Sequence, residues 1–293
     1  MKILITGANG FLGQHLTLSL SQSTDAIFAV SKGDCRIPKG NYSYFQIDLT
    51  RETEVVALLK KLQPDVIVHT AALSKPDECE EDKDRCLAVN VLATQYLADY
   101  SRPFVSQFIY ISTDFIFGEN GPHAENDKPG PLNFYGESKL RAEKLVKESG
   151  IPYAIVRPVF IYGKVWRGLR PSFLHWIQSN LEQKKKIKVV NDQLRTPTFV
   201  GDLCRGIESI IRLKKTGDFH LAGSDLISPY QMAVTVARKL NLDVTLIESV
   251  TAATFVEKVI RAKRSGLRIE KAVRELNYQP VSFEEGVEKT FAD

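Results

Sequence analysis

The stretch KILITGANGFLG, residues 2–13, places a short apolar run directly before a glycine-rich turn and the start of a helical pattern. The run KILIT does not alternate apolar with polar, so it reads as a strand covered on both faces. Gly7 permits a tight turn, Gly10 lets the backbone approach a pyrophosphate, and Gly13 allows close packing of the helix. The helix N-terminus then points its unpaired N–H groups at the phosphates. A glycine pattern alone is weak. Its place between a strand and a helix makes residues Gly7, Asn9, Gly10, Phe11, Leu12 and Gly13 a dinucleotide cradle.

Working outward, the same rhythm repeats. AIFAV (26–30), YFQI (44–47), DVIVHTA (65–71), QFIYIS (107–112) and YAIVRP (153–158) read as further strands. Helical patterns near 11–21, 51–62, 84–100 and 135–149 separate them. Strand-helix alternation implies an α/β fold with a doubly wound parallel sheet, a Rossmann architecture. After residue 160 the rhythm changes. Helices are expected near 171–184, 201–214, 251–264, 269–276 and 282–291, with strands at IKVV and DFHLAG. Ser228 and Pro229 open another helix as N-cap and first residue. The expected division is a dinucleotide-binding part, 1–160, and a smaller, mostly helical substrate cap, 161–293, from which about 191–225 returns to the first part. Ligands of such a sheet bind outside the carboxyl ends of its strands.

The composition excludes several classes. A chain of 293 residues, 43% hydrophobic and 25% charged, is an ordinary globular protein with ample core. A net charge of +4 is too small to argue for nucleic acid. No apolar run approaches the ~20 residues a membrane span requires, and MKILITGANG is a poor signal peptide. Cys35, Cys79, Cys86 and Cys204 form no C-x-x-C pair, and the five histidines show no metal-ligand spacing, so no metal is expected. These features point to the cytoplasm.

The second strand ends AVSKGDCR. A site for NAD usually carries an acidic residue there, to hold the ribose 2′-hydroxyl. Here Ser31 and Lys32 occupy the place and Arg36 is near, which favours NADPH over NADH. Asp34 is the counter-argument, because the loop register is open. Asp48 and Leu49, at the end of the third strand, are placed beside the adenine.

Tyr135 and Lys139, in NFYGESKLRAEK (133–144), stand four apart and share a helix face. Free tyrosine titrates near pH 10, too high for ready proton exchange at neutral pH. A cation about 4 Å away at an effective dielectric of about 20 is worth roughly 4 kcal/mol, or about three pKa units. Lys139 is therefore expected to bring the phenol down toward neutrality.

Taken together, TGANGFLG, ISTDFIF, NFYGESK and RTPTFVGDL resemble the extended short-chain dehydrogenase/reductase superfamily over essentially the whole chain. STDFIFGENG followed by PLNFYGESKLRAE is most similar to its dTDP-4-dehydrorhamnose reductase branch. The resemblance implies a triad of Thr113, Tyr135 and Lys139. Tyr135 would protonate a carbonyl oxygen, Thr113 would hydrogen-bond it, and Lys139 would also hold the nicotinamide ribose. Ser112 is the neighbouring hydroxyl, and only one of the two can face the site. The resemblance also places Ala71 and Ala72 beside the cofactor, Pro158 by the nicotinamide amide, and Asn90 near the active site or satisfying backbone. It implies a nucleotide-sugar substrate, whose diphosphate needs cations. Arg195 and Arg261 are the candidates, with Trp166 stacking on a base or sugar and Lys75 entering the pocket. LSKPDECE does not reproduce the branch's usual residues, so sugar and base stay open. Two other readings stand beside the reductase. One is an epimerase or dehydratase retaining NAD. The other is an NADP-binding regulatory subunit like that of methionine adenosyltransferase. Dimers are common in the superfamily, which leaves a homodimer open.

Overall fold

The computed structural model describes residues 1–166 and 168–292. Its strands in chain order are β1 (Lys2–Thr6), β2 (Ala26–Ser31), β3 (Ser43–Gln46), β4 (Val66–His69), β5 (Gln107–Ile111), β6 (Tyr153–Arg157), β7 (Ile161–Tyr162), β8 (Ile187–Val190), β9 (Thr198–Phe199), β10 (Gly217–His220) and β11 (Ile247–Val250). The helices are α1 (Phe11–Leu20), α2 (Glu52–Leu62), α3 (Pro76–Glu81), α4 (Lys83–Leu87), α5 (Ala93–Ser101), α6 (Phe134–Glu148), α7 (Phe173–Glu182), α8 (Val200–Arg212), α9 (Pro229–Lys239), α10 (Glu270–Leu276) and α11 (Phe283–Phe291). Among the described residues no helix is long and apolar enough to cross a membrane.

Seven strands form one parallel sheet in the order β10-β6-β5-β4-β1-β2-β3. The order reverses at β1, where β2 lies on one side and β4 on the other, and this switch point opens a crevice at the strand ends. The runs that fail to alternate are indeed covered twice. On one face Ile3, Ile5 and Val68 pack with Leu16 of α1 and with Leu203 and Ile207 of α8. On the other, Leu4, Ile67 and Tyr110 pack with Leu59 of α2, Leu97 of α5 and Val146 of α6. A separate core joins α7, α9 and α11 with the two-stranded sheet of β8 and β11. The capping box at Ser228 closes the start of α9 as its sequence suggests.

Two expected helices are corrected. The pattern over 84–100 is one axis but not one helix: a π turn, Ala88–Leu92, separates α4 from α5. Asn90 sits in that turn, buried, with its side chain paired to both Leu73 backbone groups. The helix expected at 251–264 is only a short 3₁₀ turn, Ala252–Thr254, preceded by the unexpected strand β11. Beyond it the backbone makes outside bonds. Leu194 N–H donates to Lys263 O at 2.7 Å, and the Lys263 N–H donates to Glu119. Val256 and Ile260 in this segment are exposed.

The edge strand β10 is pinned by a buried ion cluster. Arg157 of β6 makes a bidentate pair with Glu143 of α6 at 2.7 and 2.9 Å and reaches Asp218 of β10 at 2.7 Å. Breaking a buried pair from one side strands a charge and costs several kcal/mol. Glu143→Gln, with Asp218 still in place, is expected to lower unfolding stability by about 2 kcal/mol in a urea titration. Glu137→Gln, which removes a surface pair with Arg141, is expected to leave the midpoint unmoved.

Candidate active site

The turn between β1 and α1 lies against the segment that follows β4. Gly7 has φ +67°, and a Cβ there would come within 2.6 Å of the Ala71 backbone. Only glycine fits both demands. The N-terminus of α1 carries no side-chain cap and no acidic residue in its first turn, so its N–H groups are open to an anion. It faces a cleft of about 1190 Å³ along the carboxyl ends of the strands. Gly7, Asn9, Gly10, Phe11, Leu12 and Gly13 line one end, with Ser31 and Lys32 from the exit of β2. Asp48 and Leu49 lie beside them, and Ala71, Ala72 and Pro158 continue the wall. Thr113, Tyr135 and Lys139 close the other end.

Tyr135 stands in the first turn of α6. The N-cap Asn133 accepts from Gly136 N–H at 3.1 Å. A Cβ on Gly136 would sit 2.1 Å from the Phe115 carbonyl oxygen, so the missing side chain lets the helix start rest on the turn after β5. The Phe115 and Tyr135 rings meet edge to face at 5.5 Å. Thr113 Oγ1 accepts from Phe115 N–H and donates to Asp114 Oδ1, both at 3.2 Å. Of the two neighbouring hydroxyls, Thr113 is the one that also acts on the Tyr135 phenol, drawing its pKa downward. Ser112 Oγ is buried with no partner.

The electrostatics correct the sequence argument. Lys139 Nζ donates to the Ile111 carbonyl at 2.7 Å and lies 4.1 Å over the Tyr110 ring. Burial lowers its pKa to about 7, against the opposing pull of Glu143, Cys86 and Cys79. Burial raises the Tyr135 pKa instead of lowering it, and the nearby Asp114 adds to the rise. Desolvation is the largest influence, and it outweighs the Thr113 hydrogen bond that pulls the other way. The phenol is firmly protonated at neutral pH.

On the substrate side, Arg195 and Arg261 come together in a small side cavity that shares Asp114 and Phe115 with the cleft. Arg195 is half-buried, bonds Gln193 at 2.8 Å and lies over the Phe160 ring, with its Nε buried and unpaired. Arg261 pairs with Asp77 at 2.7 Å. Lys75 pairs with Glu78 on α3, and Trp166 stacks on His15 of α1 at 3.9 Å. Neither is brought into the lining of the cleft. Asn90 fastens the Leu73 segment to Ser138 of α6. Sequence reasoning missed Phe160, a cleft residue at φ +39°. Its only signal is backbone strain, which a sequence does not display. Arg36 lines the cleft as well, donating to Gly168 O at 3.0 Å. Among the described residues no cluster of metal-ligating side chains occurs.

Comparison with known proteins agrees with this architecture. Residues 1–293 match the family described as RmlD substrate binding domain. A probable low-salt glycan biosynthesis reductase of Haloferax volcanii is 30% identical over 100% of this chain and 99% of its own. The methionine adenosyltransferase 2 subunit beta of Rattus norvegicus is 32% identical over 87% of this chain and 77% of its own. The crystal structure of a dTDP-4-dehydrorhamnose reductase from Bacillus anthracis, in complex with NADP, superposes with a TM-score of 0.85 at 29% identity, covering 99% of each chain. The chain belongs to the RmlD substrate-binding domain family, within the extended short-chain dehydrogenases/reductases.

Proposed function

We propose that this member of the family is an NADPH-dependent reductase of the 4-keto group of a nucleotide-activated deoxysugar, of the dTDP-4-dehydrorhamnose type. The observation that carries the reading is the convergence of Thr113, Tyr135 and Lys139 on the cleft that begins at the glycine cradle. The residues fit a dinucleotide. A cradle that any side chain would fill and an uncapped helix N-terminus suit a pyrophosphate. Lys32 and Arg36 stand at the exit of β2, cations matched to a 2′-phosphate. Residues 1–160 with about 191–225 act as the cofactor-binding part, and the remainder as the substrate cap.

When bound, the cofactor supplies hydride to the carbonyl carbon. The protein manages the oxygen. Tyr135, kept protonated by burial, gives its proton to the carbonyl oxygen as negative charge develops there. The Thr113 hydroxyl turns from Asp114 to donate to the same oxygen. Lys139 holds the ribose and steadies the phenolate left behind. Arg195 and Arg261, which line the side cavity together with Asn133, take the diphosphate of the sugar nucleotide.

The test is NADPH consumption on adding fresh dTDP-4-dehydrorhamnose, with NADH in parallel. Loss of NADPH absorbance, faster than with NADH, is expected. A protein that binds NADPH and leaves this and other 4-keto sugar nucleotides unreduced would instead fit a regulatory role, the reading favoured by the similarity to the methionine adenosyltransferase subunit.

A further inference from the structure

Asn9 lies in the middle of the glycine cradle, where a polar side chain is expected to face phosphate. Its side chain turns the other way. It is 2% exposed, and its side-chain bonds run to the segment after β2 and to Tyr44 of β3. Nδ2 donates to Asp34 O and to the Tyr44 hydroxyl, both at 2.9 Å. Oδ1 accepts from Arg36 N–H at 2.9 Å. Tyr44, on β3, extends the web by donating to Gly33 O at 2.6 Å.

The segment these bonds hold has little else to shape it. Residues 32–36 belong to no strand or helix, and Gly33 turns the chain at φ +83°. Yet this segment carries Lys32 and Arg36, two of the cations that line the cleft, along with Ser31 just before it. Lys32 is mostly exposed and pairs with Asp48 at 2.8 Å. A flexible loop would hold two such side chains in many arrangements, and ordering them on binding would weaken the site. Asn9 and Tyr44 remove that cost beforehand.

We propose that Asn9, backed by Tyr44, is a positioning residue for cofactor selection: it fixes residues 32–36 so that Lys32 and Arg36 meet the 2′-phosphate that distinguishes NADPH from NADH. The proposal rests on the cofactor assignment made above. It assigns the cradle asparagine a task at the far end of the adenosine, reached through the backbone of the next loop. Simple anchoring of the cradle makes a different prediction, since it would affect both cofactors alike.

The experiment measures the affinities of NADPH and NADH by calorimetry, without sugar, for the full chain and its variants. Asn9→Ala is expected to lower the NADPH-to-NADH affinity ratio at least about tenfold, as expected for weakened hydrogen bonds to a charged group. Arg36→Met, at an exposed position whose side chain bonds Gly168 O, is expected to lower it by a similar factor. Combining the two is expected to lower the ratio no more than about twofold beyond Arg36→Met alone, because Asn9 acts through Arg36 and its neighbours. Tyr44→Phe, which keeps the ring, is expected to lower it about threefold and serves if Asn9→Ala folds poorly. Equal losses for both cofactors, or fully additive effects in the double variant, would overturn the proposal. So would a wild-type protein that binds NADH as tightly as NADPH. Wild-type protein binding neither cofactor would overturn the cofactor assignment itself, and the proposal with it.

Discussion

Tyr135→Phe is expected to lower turnover by at least about 100-fold while cofactor still binds. The change deletes one oxygen and little else. The ring keeps its edge-to-face contact with Phe115, and α6 keeps its Asn133 cap, so the cleft should hold its shape. What is lost is the only phenol that lines this cleft among the described residues. Because burial holds that phenol well above its ordinary pKa, it is poised as an acid across the neutral range, and a fall in turnover as pH rises through about 7 is expected to report loss of the Lys139 charge, not of the phenol proton. The check is kcat together with cofactor Kd for the wild type and the variant. Unchanged kcat would remove Tyr135 from the chemistry.

Lys139→Met should separate activity from stability. Turnover is expected to fall at least about 100-fold, since the cation beside the developing phenolate is gone. Stability is expected to rise. Burial lowers the lysine pKa to about 7 in the folded protein, against about 10.4 when unfolded. Between those values the unfolded chain binds more protons, so wild-type stability climbs as pH rises from about 7 to about 10.4. Below 7 the whole cost of burying an ammonium is present. Methionine removes that cost, so the variant should gain roughly 2 kcal/mol or more near pH 6 and lose the advantage by about pH 10. Urea titrations at several pH values test this. A variant less stable than wild type at pH 6 would mean that the hydrogen bond to Ile111 O outweighs desolvation. A site residue that destabilises its own fold is a common trade between function and stability.

Much of this was legible in sequence, and the limits are physical. The parallel sheet could be read, six of its seven strands from residues 1–160, because strands covered on both faces lose their alternation, and KILIT, DVIVHTA and QFIYIS all do. The cradle could be read because local chain geometry demands glycine at Gly7. The helix expected at 251–264 failed because FVEKVIRAKR satisfies its backbone through Glu119 and Leu194, residues far away in sequence. The turn at Asn90 was invisible for the same reason, since its partner Leu73 belongs to another loop. The tyrosine-lysine spacing put both side chains on one cleft correctly. It gave the wrong direction for the phenol, because spacing reports the neighbouring charge and says nothing of how thoroughly the pair is desolvated. Trp166 looked like a ligand platform and is stacked on His15, a contact across most of the first half of the chain.

The most direct test of the reductase reading follows the hydride itself. NADPH carrying deuterium at the transferable position is mixed with the enzyme and dTDP-4-dehydrorhamnose, and the sugar product is examined by NMR. The account predicts deuterium at C4 of the sugar, one per cofactor oxidised, and none with Tyr135→Phe over the same time. A sugar altered without deuterium, or cofactor left unconsumed at full binding, would contradict it.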